Sequence, residues 1–251
     1  RTAPVAMFSG GPVYNLYLRL LGARIGANTV LDCQVLPVCT DLISVGDNTI
    51  LRKYTMALGY KAQSNFIHTG PITIGNNAFV GEASVLDIET HMGDDTQLGH
   101  ASTLLSGQRV PDGKRYHGSP AVETTADYCP IERMECGLIR TAIFSVLELA
   151  ALVLVAVPAP ILALYAWEQF TGATGTAASM SALSLLGVSA ASFFGSIVVG
   201  LAAVYVIPRL CMMFLKPGVT YPAFGFHYLM QSIILRASNS EFFCLLFGDS
   251  S

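Results

Sequence analysis

One spacing governs the first half of this chain. Aliphatic side chains stand at Ile74, Val80, Leu86, Met92, Leu98, Leu104 and Val110, every sixth position without a miss. The residue four places after each of the first five is small: Ala78, Ser84, Thr90, Thr96 and Ser102. Glycine follows the aliphatic residue at Gly75, Gly81, Gly93 and Gly99. An α-helix cannot use this pattern, because six residues turn through about 600° and walk off any single face. Strand alternation has period two and would not hold small residues in this phase. A triangular coil can use it. Each hexapeptide forms one flat side, with the aliphatic residue pointing inward and the small residue at a tight corner. Glycine is read here as relieving backbone strain. The spacing predicts a left-handed parallel β-helix over residues 25–125, following a lead-in segment over 1–24. Weaker rungs occur at Ile25-Gly26 with Thr29, Leu31 with Val35, Val45-Gly46 with Thr49, and Leu51 with Thr55. The interruptions Pro37–Ser44 and Ala57–Thr73 read as loops leaving the prism.

The second half has a different logic. Hydrophobic residues make up 52% of the chain and charged residues 12%, too apolar a balance for an ordinary soluble domain. That apolarity concentrates after Leu138. Leu138–Trp167 and Met180–Leu215 each exceed the roughly 20 residues needed to cross hydrocarbon, joined by the polar, Gly- and Thr-containing stretch Glu168–Ser179. They predict a transmembrane hairpin over 138–216, with Pro158 and Pro160 kinking or ending its first helix. Arg133 and Arg140 precede the hairpin, and Arg209 and Lys216 follow it. Both basic flanks, and with them the β-helix, are therefore expected on the cytoplasmic side or its organellar equivalent. The tail over 217–251 reads as interfacial helices, with membrane lipid as a partner. Glu148, inside the first apolar run, is expected to face protein or water rather than lipid. A net charge of −3 gives no basic footprint for nucleic acid. The six cysteines form no CxxC pair and read as small buried hydrophobes of a reducing compartment.

Several stretches carry a family resemblance. Tyr14-Asn15-Leu16-Tyr17-Leu18-Arg19-Leu20-Leu21-Gly22-Ala23-Arg24-Ile25-Gly26 leads into the prism, and His117-Gly118-Ser119-Pro120-Ala121 closes it. With Leu58-Gly59-Tyr60 and Gly70-Pro71-Ile72-Thr73-Ile74-Gly75, they resemble the C-terminal region of membrane-bound nonribosomal peptide synthetases of the ε-poly-lysine synthetase type. In that family, acyltransferase-like hexapeptide domains alternate with pairs of membrane helices. The resemblance spans residues 10–121 in sequence and the rest by layout. Glu241–Ser251 is similar to the stretch preceding the next such domain, so the resemblance implies one repeat unit of a larger arrangement. Neither an adenylation domain nor a carrier domain is seen here, so this stretch by itself is not expected to activate an amino acid.

The resemblance also implies a site. Hexapeptide acyltransferases place a histidine in the groove between neighbouring prisms, where it deprotonates the acceptor. On the regular coils the candidates are His91 and His100, with Asp87 or Asp94 as orienter and Glu89 and Asp95 nearby. His68 falls in the long loop and His117 in the closing turn. The histidine spacing does not repeat that of the zinc-binding γ-class carbonic anhydrases, so no metal is expected. No Gly-rich phosphate loop or Gly-x-Ser-x-Gly elbow appears, and no cofactor is expected. Two function classes remain: a membrane-tethered acyl- or aminoacyl-transferase-like module, or a non-catalytic linker subunit of a larger membrane assembly, an organellar one included. Partners are neighbouring β-helix domains or other membrane-complex subunits.

Overall fold

The computed structural model describes residues 8–33, 39–129, 137–151 and 182–238, together with Val153, Ile161, Leu164, Tyr165 and Glu168. It divides into two compact units, Arg1–Ser145 and Val146–Ser251.

The first unit is a three-sided parallel β-helix. Its first face stacks Arg24–Ile25, Ile43–Val45, Ile72–Ile74, His91–Met92 and Arg109–Val110. The second stacks Val30–Leu31, Ile50–Leu51, Phe79–Val80, Gln97–Leu98 and Arg115–His117, and Val122–Glu123 closes it as an antiparallel end strand. The third stacks Met56–Ala57, Val85–Leu86 and Thr103–Leu104. The pairing explains the spacing: Ile74 lies beside Met92 and Met92 beside Val110, so three hexapeptides make one coil. Val80, Leu86, Met92, Leu98, Leu104 and Val110 are each 0% exposed. Burial on that scale contributes about 1.5–3 kcal/mol per side chain before entropy is charged against it.

The corner chemistry differs from the sequence expectation. Left-handed backbone falls three residues after the inward aliphatic, at Asn28, Asn48, Tyr54, Asn77, Ala83, Glu89, Asp95 and Ala101, and at Gly107 and Gly113. The glycines that directly follow the aliphatic have ordinary φ. Their role is close approach: a Cβ at Gly75 would lie 2.7 Å from the carbonyl carbon of Gly93, and one at Gly81 would lie 2.5 Å from the His100 nitrogen. Between these positions, fully buried hydroxyls tie coil to coil. Thr49 Oγ1 donates to the Gly75 carbonyl at 2.8 Å and Ser84 Oγ to the Gly99 carbonyl at 3.0 Å, so neither hydroxyl is buried unpaired.

Helix α1 (Pro12–Leu20) packs on the first coil, with Pro12 in its first turn and Tyr14, Asn15 and Leu18 turned inward. Tyr14 Oη donates to the Cys33 carbonyl at 3.3 Å, and Asn15 Nδ2 to the Thr29 carbonyl at 2.5 Å. Both expected interruptions carry structure of their own. Within the first, Thr40–Leu42 makes a 3-10 turn and Ser44 already belongs to a strand. The second is an antiparallel hairpin, Tyr60–Gln63 against Phe66–Thr69, whose turn residues Ser64 and Asn65 both take positive φ. That conformation matches the twist of the flanking strands.

In the helical part, α2 spans Leu138–Ala151, α3 spans Ala182–Met212, and α4 spans Phe226–Ser238 and packs on α3. Phe193–Met212 has a mean hydropathy of 1.9, is not buried, and is long and apolar enough to cross a membrane. The rest of the expected first span, with Pro158 and Pro160, the connection after Glu168, and the tail beyond Ser238 lie outside the described residues. Glu148 is 2% exposed.

Candidate functional site at the hairpin corner

Alternation along each short strand decides which residues the prism presents. Met92 fills the interior, so His91 points outward and is exposed. Its strand neighbours on the same face are Thr73 and Arg109, in a column continued by Ser44 and Arg24. Adjacent strands hold such outward residues about 4.8 Å apart. Among the described residues, the His91 side chain makes no hydrogen bond and no ion pair.

The corner that leads into His91 is where the hairpin leaves the prism. A Cβ on Gly70, at the hairpin's base, would lie 2.7 Å from Glu89 Cγ and 3.1 Å from Ile88 Cβ, so the two segments abut. Lys61, on the hairpin, places its Nζ 3.1 Å from Asp87 Oδ2, and its cross-strand partner is His68. The other Asp87 oxygen accepts the Ile88 amide at 2.8 Å. Glu89 sits at the left-handed corner position, exposed. The corner over residues 87–91 thus carries Asp87, Glu89 and His91, with Lys61 reaching Asp87 from the hairpin. Nothing in the residue pattern singles out Lys61; half of the hairpin signal lies in Asn65, a residue that accepts positive φ.

The other expected site residues are occupied elsewhere. Asp94 Oδ1 accepts the Asn76 amide at 2.6 Å, and the Asp94 amide donates to Asp112 Oδ1 at 2.9 Å. Asp94 is one rung of a ladder that links successive coils through Asp47, Asn76 and Asp112. Neither Asp87 nor Asp94 is hydrogen-bonded to a histidine among the described residues; their partners are Lys61 and the Ile88 amide for Asp87, and the Asn76 amide for Asp94. His100 occupies the matching rung at the next corner. Its Nδ1 accepts the Glu82 amide at 3.0 Å, and its ring meets Phe79 and Tyr128 edge-on at 6.1 and 6.2 Å. His117 ends a strand rather than a turn, stacks on Tyr128 at 5.5 Å, and sets Nδ1 3.2 Å from Ser102 Oγ. Ser102 is 0% exposed, so this Ser–His contact is not a nucleophile's.

A strap over residues 124–129 locks that end. Gln97 donates from Nε2 to Asp127 Oδ1 at 3.0 Å and accepts the Tyr128 amide at 2.8 Å, while Arg115 pairs with Asp127 Oδ2 at 3.1 Å. The Cys129 amide above all, then Gln97, holds the Asp127 carboxyl below the usual range. A hydrogen bond from Arg52 does the same for Glu82. At the opposite end, burial pushes the Cys33 thiol up to about 12 and the Tyr14 phenol higher still.

Comparison with known proteins gives a partial match. No family model matches the chain. A δ-poly-L-ornithine synthetase from Acinetobacter baumannii is 25% identical over 113 residues, which are 45% of this chain. The chain spans 8% of that protein's length. Among solved structures, a hexapeptide-repeat acetyltransferase from Vibrio cholerae aligns with a TM-score of 0.40 at 13% identity, covering 49% of this chain and 86% of that one. A maltose O-acetyltransferase from Clostridium difficile aligns with a TM-score of 0.38 at 20% identity, covering 49% and 75%. The first unit is thus a hexapeptide β-helix by its own strand pairing, and 113 residues of the chain are similar to part of a δ-poly-L-ornithine synthetase.

Proposed function

We propose that this chain is a membrane-tethered acyl- or aminoacyl-transferase-like module of a nonribosomal peptide synthetase-type protein, with His91 as its general base. The observation that carries this reading is the exposed His91 imidazole at the hairpin corner, with no side-chain partner among the described residues. The partial match to a poly-ornithine synthetase supports the class of reaction. In the proposed step an acceptor amine attacks a carrier-bound thioester. The N–C bond forms, the C–S bond breaks, and the proton lost by the amine passes through His91 to the departing thiolate. Arg109 is the register neighbour of His91 on the same face, and a neighbouring β-helix domain supplies the far wall of the groove. The apolar α3 serves as tether, with the prism on the basic side of the membrane.

His91→Ala in a reconstituted acyl-transfer assay is expected to cost about 10²–10⁴-fold in rate. His100→Ala should cost far less, because its Nδ1 is already committed to Glu82. Unchanged transfer by the His91 variant removes the reading. The second reading, a non-catalytic linker subunit, is favoured by the engagement of Asp87 and Asp94 with partners other than histidine. An unrelated membrane complex found on the prism flanks, with no second prism there, would select it.

A further inference from the structure

From Gln169 to Ser240 the sequence contains Arg209, Lys216 and Arg236 but no Asp or Glu. No carboxylate of that stretch can neutralise these cations. The structure places two of them at one end of the apolar stretch Phe193–Met212. Arg209 lies in the last turn of α3, exposed, with its guanidinium carbon 4.3 Å over the centre of the Tyr205 ring. Lys216 follows in the reversal toward α4, also exposed, and its amide donates to Tyr221 Oη at 3.0 Å. The Tyr221 ring stacks on His227 at 4.0 Å, and Phe214 meets Phe226 edge-on at 5.6 Å. The reversal therefore holds two exposed cations and a rim of aromatic rings, of which Tyr221 and His227 carry polar tips, where the apolar stretch ends. Aromatic rings with polar tips favour the headgroup depth of a bilayer, and exposed cations there attract anionic headgroups.

We infer that this end of α3, with Arg209, Lys216 and the Tyr221–His227 stack, binds the phosphate of an anionic phospholipid headgroup. The inference rests on the tether proposed above and adds a lipid preference to it. Arg209 brings several fixed N–H donors and Lys216 a point charge, a set suited to a phosphodiester.

The test uses the full chain in neutral detergent, titrated with fluorescent phosphatidylglycerol and, separately, fluorescent phosphatidylcholine. Phosphatidylglycerol should bind about tenfold tighter, and Arg209→Gln with Lys216→Gln should erase that difference. Lys216→Gln alone, at an exposed position in the reversal, should remove part of it if the double variant does not fold. Excess inorganic phosphate should not displace the lipid. Equal affinity for the two lipids, a preference untouched by the variants, or displacement by free phosphate would each overturn the proposal. Alkaline carbonate washing of membranes holding the full chain reads the tether separately. Release would sink the tether, whereas retention with equal lipid affinities would sink the headgroup preference alone.

Discussion

His91 and His100 are nine residues apart in the chain, one and a half hexapeptides, and both rings are exposed; yet the structure uses them differently. His91 stands on a strand, where the alternation that buries Met92 must turn it out. His100 stands on a corner, where the close approach of coils at Gly81 and Gly99 brings its Nδ1 to the Glu82 amide. The first is held only by its backbone; the second is fixed by an amide, two aromatic edges and a strap. A repeat supplies equivalent scaffold positions, and whether a side chain on it is available for chemistry is settled by what lies outside the repeat.

Reciprocal readouts separate the two corners most widely. His91→Ala should abolish most transfer and leave the melting temperature unchanged, since an exposed side chain without a partner carries little stability. His100→Ala should invert that pattern, losing about 1 kcal/mol and little rate. Parallel losses in both variants would erase the distinction. Next in size are the inward residues beneath each ring. Met92→Ala and Leu98→Ala each delete a side chain that is 0% exposed and should each cost about 2–5 kcal/mol in denaturant melts. Similar costs would place the difference between the corners outside the core; a Leu98 cost several kcal/mol larger would place it within. A smaller effect follows from Gln97→Ala, which removes both amide contacts to the strap. It should cost about 1–2 kcal/mol and speed hydrogen exchange at the Tyr128 amide without changing it at His91.

The period-six rule made the prism legible because it recurs at every rung and tolerates no other fold. What it could not convey were facts set by partners a coil or more away. The glycines at Gly75 and Gly81 suggest conformational freedom in the sequence, whereas coil-to-coil distance demands them. The left-handed corners at Tyr54, Ala83, Glu89 and Ala101 carry no residue that advertises positive φ. The role of Asp94 depended on Asn76 and Asp112, each 18 positions away, and the locking of His100 on a strap some 30 residues downstream. The Lys61–Asp87 pair required knowing that the interruption folds as a hairpin at that corner rather than as a loop. Of the candidate site, the histidines were visible in the sequence and their availability was not.

Acidification gives the finest separation. The Asp127 carboxyl is held below the usual carboxylate range by the Cys129 amide, Gln97 and Arg115, and Glu82 is lowered by Arg52. A depressed pKa in the folded chain means that the charged form is favoured there. The stabilisation is therefore complete above the ordinary carboxylate pKa, near 4, and is lost as pH falls through the lower folded value. Both carboxylates belong to the His100 end. Asp32, raised by its burial near the first coil, has the opposite sign and gains relative stability as pH falls. Acid should thus loosen the strap first: the protection of the Tyr128 and Cys129 amides, relative to intrinsic exchange at the same pH, should fall below about pH 4 while the His91 amide, bonded to the Gln108 carbonyl at 3.1 Å, keeps its protection. Asp127→Asn should make the strap's protection factors nearly independent of pH in that range. If protection disappears evenly around the prism, the two corners share one cooperative unit, and the contrast between them is confined to the side chains.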